Sequence, residues 1–237
     1  MLVPIFHHYP QSPIAEKIRM TFGIMSLEWY SVQIPRIPPK PLLTPLTGGY
    51  RRTPVLQVGA DIFCDSQCIA FQLGKLKSEK VAYDSSNRAL ELILGSFGEN
   101  ILFKLTVRIV LTTSMGVAPE DFIKDRGSLY FEPGWTVEEM QNSLPSVLLQ
   151  LQSAFELINH HLTSHGPYMN GNNPSYADAV IQHCVWFLCG RWDRGDSFVA
   201  PFKALIKHRD LITQMGHGSF IDCAPEEALQ IAKNHIS

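Results

Sequence analysis

The chain predicts a two-part fold, an α/β module of about 80 residues followed by a longer all-helical region. Three observations lead there. Short apolar runs and two helical patterns alternate in the order β, α, β, loop, β, β, α before residue 80, whereas beyond it only helical periodicity is found. With 237 residues, 45% of them apolar and 18% charged, the chain can bury a large core and sits near two domains on length alone. The expected boundaries are about 1–78 and about 84–237.

The first apolar run ends in His7-His8-Tyr9-Pro10, which suits a buried strand entering a turn. Ser12-Pro13 then opens a helix, serine as N-cap and proline at the first helical position, with Ile14, Ile18, Met20, Phe22 and Ile24 as its apolar residues. Glu28 to Ile34 reads as extended, and Pro35, Pro38, Pro39, Pro41 and Pro45 forbid a long regular element after it. Pro54 to Val58 and Asp61 to Cys64, separated by Gly59-Ala60, have hairpin spacing. Asp65-Ser66 introduces a second helix with Ile69, Ala70 and Leu73 on one face.

After a polar stretch from Lys75 to Lys80, helices are expected from Asp84 to about Thr112, from Thr136, from Ser175, and near Phe202 and Glu226. The first of these places Leu90, Leu94, Phe97, Ile101 and Leu105 in register. Thr136-Val137-Glu138-Glu139 and Ser175-Tyr176-Ala177-Asp178 read as capping boxes, and no strand is expected here. A net charge of −2, from 20 basic and 22 acidic side chains, offers no global field for a polyanion, so nucleic acid is not an expected partner. The odd set Cys64, Cys68, Cys184, Cys189 and Cys223 has neither Cys-x-x-Cys pairing nor zinc spacing and reads as reduced, mostly buried thiols of a cytoplasmic protein. His160, His161 and His165 read as a solvent-facing helix end rather than a metal site. No run of about 18 apolar residues occurs, so no membrane association and no processed leader are expected.

Four motifs in order carry a resemblance: Ser12-Pro13-Ile14-Ala15-Glu16-Lys17-Ile18-Arg19, Thr53-Pro54-Val55-Leu56, Asp65-Ser66-Gln67-Cys68-Ile69, and Asn173-Pro174-Ser175-Tyr176-Ala177-Asp178. Together they resemble the cytosolic glutathione transferase superfamily, in a form with serine in the N-terminal motif. The proline loop, Thr47 to Arg52 and Gly216-His217-Gly218 do not resemble the alpha, mu, pi or sigma classes and suggest a microbial-type or fungal-type branch. The resemblance implies a thioredoxin-like N-terminal domain and an all-helical glutathione-transferase-type C-terminal domain. It further implies a cytoplasmic detoxification enzyme, a homodimer, that conjugates glutathione to small apolar electrophiles. Glutathione would be a co-substrate, with no prosthetic group and no metal.

Under that resemblance Ser12 is the catalytic residue, its hydroxyl donating to the glutathione sulfur, with Tyr9 as the rival donor; read alone, Ser12 is an N-cap. Serine in place of cysteine favours conjugation over thiol transfer. Thr53 and Pro54 would pair with the cysteinyl backbone across a cis peptide, and Asp65 and Ser66 would hold the γ-glutamyl group, although Asp-Ser is also an ordinary helix cap. Arg51 or Arg52 would pair with the glycyl carboxylate, unless both are solvated surface cations. Asn100, Phe103, Lys104 and Arg108, by helical spacing, are candidates for the electrophile wall, and Trp186, Phe187 and Trp192 suit a pocket or a core. Ser175 and Asp178 read as structural, and Cys64 and Cys68 as core packing. Glutathione-dependent peroxidase or isomerase chemistry, or a binding protein without turnover, are the alternatives.

Overall fold

A computed structural model describes residues 2–76 and 88–235. The α/β module begins with β1 (Ile5–His8), every residue of which is buried. Ser12 caps α1 (Pro13–Ile24), accepting the Ala15 N–H at 3.1 Å. Then follow β2 (Glu28–Gln33), a single helical turn α2 (Thr44–Thr47) inside the proline loop, the hairpin β3 (Val55–Val58) and β4 (Asp61–Cys64), and α3 (Ser66–Leu76). Gly59 turns the hairpin at φ +64°, a left-handed conformation that glycine adopts without cost. The Thr53–Pro54 peptide is cis, as is Pro38–Pro39.

The helical region comprises α4 (Arg88–Phe97), a π-helical turn (Gly98–Leu102), α5 (Phe103–Thr113), α6 (Glu120–Tyr130), α7 (Val137–His165), α8 (Tyr176–Arg191), α9 (Gly195–Val199) and α10 (Lys203–Met215). Leu151, Phe155, Ile181 and Leu188 lie at its centre and are fully buried. The side chain of Thr136 caps α7, and Ser175 and Asp178 form the capping box of α8, Asp178 Oδ2 accepting the Ser175 N–H at 2.7 Å. Asp178 Oδ1 also accepts the Met169 N–H at 2.7 Å and meets His208 Nε2 at 2.8 Å, which ties α10 and the preceding loop to the start of α8.

α1 is buried on nearly every side, because the sheet and α3 cover part of it and α8 with α10 the rest. Phe6, Ile18, Phe22, Leu56, Ile69, Tyr176 and Val180 form one apolar cluster across this junction, so the two regions share a core. Burying each large apolar side chain there contributes about 1.5–3 kcal/mol.

Several expectations need correction. A fifth strand, β5 (Ser219–Asp222), returns from the C-terminal region and pairs parallel with β2, so the sheet order is β4-β3-β1-β2-β5. α11 (Pro225–Asn234) then packs its Ala228 and Ile231 beside Ile5 and Val55. The long helix expected to run to Thr112 is interrupted by the π turn, which shifts its face: Leu90 and Ile101 are 43% and 48% exposed, while Leu102, Thr106 and Ile109 are fully buried. Its expected start at Asp84, and the boundaries at 78 and 84, lie outside the described residues. α6 and α9 are additional, their short amphipathic patterns having given no capping signal. Only Cys184 of the five cysteines is buried; Cys68 is exposed and Cys64 half-buried, because their positions flank the helix cap at the molecular surface.

Candidate active site

The turn after β1 is fixed from below by buried charge. Arg19 donates to the carbonyls of Tyr9 and Pro10 at 3.3 and 2.8 Å, and to His8 Nδ1 at 2.9 Å, while Glu16 accepts its Nε–H at 2.8 Å. Burial, and then the Arg19 charge, push His8 down to about 3, so it stays neutral and can accept from the guanidinium. This clamp holds Tyr9 at the mouth of α1. Among the first-turn donors of that helix, Pro13 has none, Ala15 N–H goes to Ser12 Oγ, and Glu16 N–H goes to the Ser12 carbonyl at 2.9 Å. The Ile14 N–H is the orphan that every helix start leaves, and Ile14 lines a cavity.

That cavity, about 370 Å³, lies between the two regions. One wall comes from the α/β module, with Tyr9, Lys40, Tyr50, Arg51, Arg52, Thr53, Pro54, Asp65 and Ser66. The other comes from the helices, with Glu99, Asn100, Phe103, Lys104, Arg126 and Tyr130. The structure thus brings together every predicted site residue except Ser12 and Arg108. Ser12 is 2% exposed and lines neither this cavity nor its neighbour, its oxygen turned to the Ala15 N–H. Arg108 does not line the cavity: it is 4.0 Å from Glu139 and lies over the ring of Phe131, which does line it.

Asp65 adopts φ +74°, and its Oδ1 accepts the Gln67 N–H at 2.9 Å and the Cys68 N–H at 3.3 Å, so it caps α3 while facing the cavity. Ser66 sits in a charged chain: the fully buried Lys17 donates to Ser66 Oγ at 2.9 Å, and Ser66 donates to Glu99 Oε1 at 2.7 Å, with Lys17 and Glu99 also in direct contact. Burial opposes ionisation of Glu99, yet Lys17 and then Ser66 hold its carboxyl below the ordinary range. Glu99 reaches this point because Gly98 lies against α8; a Cβ there would come within 2.1 Å of Val180 Cγ1.

At the other end Lys40, from the proline loop, donates to Thr53 Oγ1 at 2.8 Å and to the Arg51 carbonyl at 3.2 Å. Burial, then the charges of Arg126 and Arg51, push its amine down to about 8. Arg51 itself pairs with Asp125 at 2.7 Å, and this exposed pair spans the two regions. Sequence reasoning missed Lys17, Lys40, Tyr50, Glu99, Arg126 and Tyr130. A signal existed only for Lys17, a cation two turns into an otherwise buried helix that must find a partner.

Behind Tyr9 lies a second cavity of about 160 Å³, sharing Tyr9, Phe103, Arg126 and Tyr130 with the first. Its remaining wall includes Val107, Val110, Leu111, Phe122 and Phe187. Of the aromatic group noted in the sequence, Phe187 is therefore a pocket residue, whereas Trp192 packs into the helical core. Burial, then Tyr9, push the Tyr130 phenol up to about 12. His161 and His165 stack with ring centres 4.5 Å apart, and among the described residues no group of three or more His, Cys, Asp or Glu is arranged to hold a metal ion. No helix among the described residues is long and apolar enough to cross a membrane.

Comparison with known proteins gives the following. Residues 6–80 match the family described as glutathione S-transferase, N-terminal domain. A GST-like protein from Pseudomonas syringae shares 33% identity with a TM-score of 0.79, over 99% of this chain and 74% of that one. A glutathione S-transferase of Ceriporiopsis subvermispora, solved in complex with glutathione, is 18% identical at a TM-score of 0.72, over 90% of this chain and 97% of its own. A glutathione transferase family member from Pseudomonas fluorescens, solved with two glutathione molecules bound, is 11% identical at a TM-score of 0.65, over 90% and 87%. No curated protein matches this chain.

Proposed function

The chain belongs to the glutathione S-transferase superfamily, and from that premise we propose that it binds glutathione in the polar cavity and transfers the peptide's sulfur to a small electrophile in the apolar one. The observation that carries this reading is the junction of the two cavities at Tyr9, where a sulfur held in the first meets a carbon held in the second. The chemistry is nucleophilic: the thiolate forms a C–S bond as the leaving group departs with its electron pair.

Each end of the peptide has a counterpart in the polar cavity. Lys40, with Arg51 and Arg52, takes the glycyl carboxylate, and Thr53 and Pro54 border the cysteinyl backbone. Asp65 and Glu99 face the α-ammonium, and Ser66 with the start of α3 takes the α-carboxylate. Tyr9 lines both cavities and the Ile14 N–H is left open beside it, so in this reading Tyr9 is the thiolate donor and Ser12 positions the turn as a cap. Asn100, Phe103 and Lys104 border the electrophile, with Arg108 behind Phe131 and outside the lining. The enzyme works as a cytoplasmic homodimer without a prosthetic group, the exposed Leu90, Ile93 and Ile101 giving it an apolar face to pair through.

The test is a pH titration of the thiolate absorbance of bound glutathione. In the wild type the thiol should titrate about one unit or more below its free value of about 8.5. Tyr9→Phe should return it toward that value, while Ser12→Ala should leave it low and cost about 1 kcal/mol of stability as a lost cap. The reverse pattern assigns the thiolate to Ser12, and absence of glutathione binding overturns the reading.

A further inference from the structure

The apolar cavity carries an electrostatic feature that a neutral substrate leaves without a purpose. Its lining includes Arg36, Arg126 and Arg191 and not one carboxylate. Among the described residues neither Arg36 nor Arg191 pairs with an acidic side chain, and the nearest carboxylate oxygen to Arg126 is that of Asp125 at 3.5 Å. Two of these guanidiniums converge on one ring: Arg36 lies 4.6 Å and Arg126 5.1 Å from the Phe122 centroid, and Arg126 also donates to the Arg36 carbonyl. Arg126 is buried at the edge of this apolar chamber, whereas Arg36 and Arg191 are exposed at its rim; an anion seated there would meet three cations and no carboxylate of the lining. The polar cavity is different, since there Asp65, Glu99 and Glu132 offset its cations.

Size restricts the ligand further. A dry cavity of about 150 Å³ lined by aliphatic and aromatic side chains holds one benzene ring, and this one measures about 160 Å³. We propose that the second substrate is an aromatic acid, a single ring carrying a carboxylate, with the ring among Val107, Leu111 and Phe187 and the carboxylate toward Arg36 and Arg126. Arg191 adds to the attracting field from the end of α8. The proposal rests on the transferase reading for the term substrate, but the pocket's preference for the acid is a property of this wall alone.

The experiment uses two molecules of one shape, 4-chloro-3-nitrobenzoate and 4-chloro-3-nitrobenzamide. Their binding to the full chain is measured without glutathione by ligand-observed NMR, and their conjugation afterwards with glutathione. The acid should bind about tenfold more tightly than the amide, the worth of one charge-assisted hydrogen bond. In the double variant Arg36→Gln, Arg191→Gln, whose altered side chains are both exposed, most of that preference should vanish. Equal binding of acid and amide in the wild type, or a preference that survives in the variant, overturns the proposal. Acid-selective binding that the variant loses, with no conjugation of either compound, upholds the acid-binding wall and overturns its role as a second-substrate site, the transferase reading itself being judged by the glutathione titration. Conjugation of both with no preference in binding supports the transferase reading and overturns the acid preference.

Discussion

Lys40 is the residue whose chemistry most depends on where the chain puts it. An amine pushed down to about 8 by burial is a cation below that pH and neutral above it, so its attraction for a carboxylate is full at pH 7 and fades as pH rises through 8. S-methylglutathione, which has no thiol to titrate, should therefore bind wild type more weakly at pH 9.5 than at pH 7. Lys40→Met should bind it weakly at pH 7 and lose the step near pH 8, as read by isothermal calorimetry at the two values. If both proteins show the same step, Lys40 does not hold the carboxylate. The sequence could not have supplied this residue, because its lysine lies in a proline-rich stretch whose path is set by packing rather than by periodicity. Glu99 was hidden for a similar reason: it meets Ser66 from 33 positions away, across an interface. The cap at Asp65 was legible because it is local, an Asp-Ser pair at a helix start, whereas the cis peptide at Pro54 was expected only from the family resemblance, since the dipeptide alone favours trans.

Among the elements, helices with side-chain caps were found where their caps are, at Ser12, Thr136 and Ser175. β5 was not, since all four of its residues are exposed and give no alternation to read. What fixes it is backbone contact. Gly23 of α1 lies so close to the tail that a Cβ would stand 2.0 Å from the Gly216 oxygen, and a Cβ on Gly218 would stand 2.3 Å from the Leu27 oxygen. The Trp29 indole N–H donates to the His217 carbonyl at 2.7 Å, and Phe220 packs on the Trp29 ring at 4.7 Å. Gly23→Ala should therefore cost about 1–3 kcal/mol as an overpacked contact and lift the tail. A drop of several degrees in Tm, with faster amide exchange at 219–222 and unchanged exchange in α7, would establish this. A variant that melts like the wild type would show that the tail adjusts without loss.

For the molecule as a whole, stability is concentrated at the start of α8. Asp178 serves the Ser175 and Met169 N–H groups and His208, all of them shut away from water. Asp178→Ala would leave two donors and an imidazole buried without partners, a loss of roughly 3–5 kcal/mol. Urea unfolding should show a lower midpoint followed by tryptophan fluorescence and by circular dichroism alike, because α1 and α8 share one core and the two regions melt together. Separate transitions would mean that they unfold independently. The same sharing sets the order of events during synthesis. β2 is made within the first 33 residues, yet the strand that covers its outer edge is residues 219–222. A ribosome adding about 5–20 residues per second needs roughly ten seconds or more to cover that interval. Throughout it the nascent sheet presents β2 as a bare edge, a place where a second growing chain or a chaperone can pair before the tail arrives.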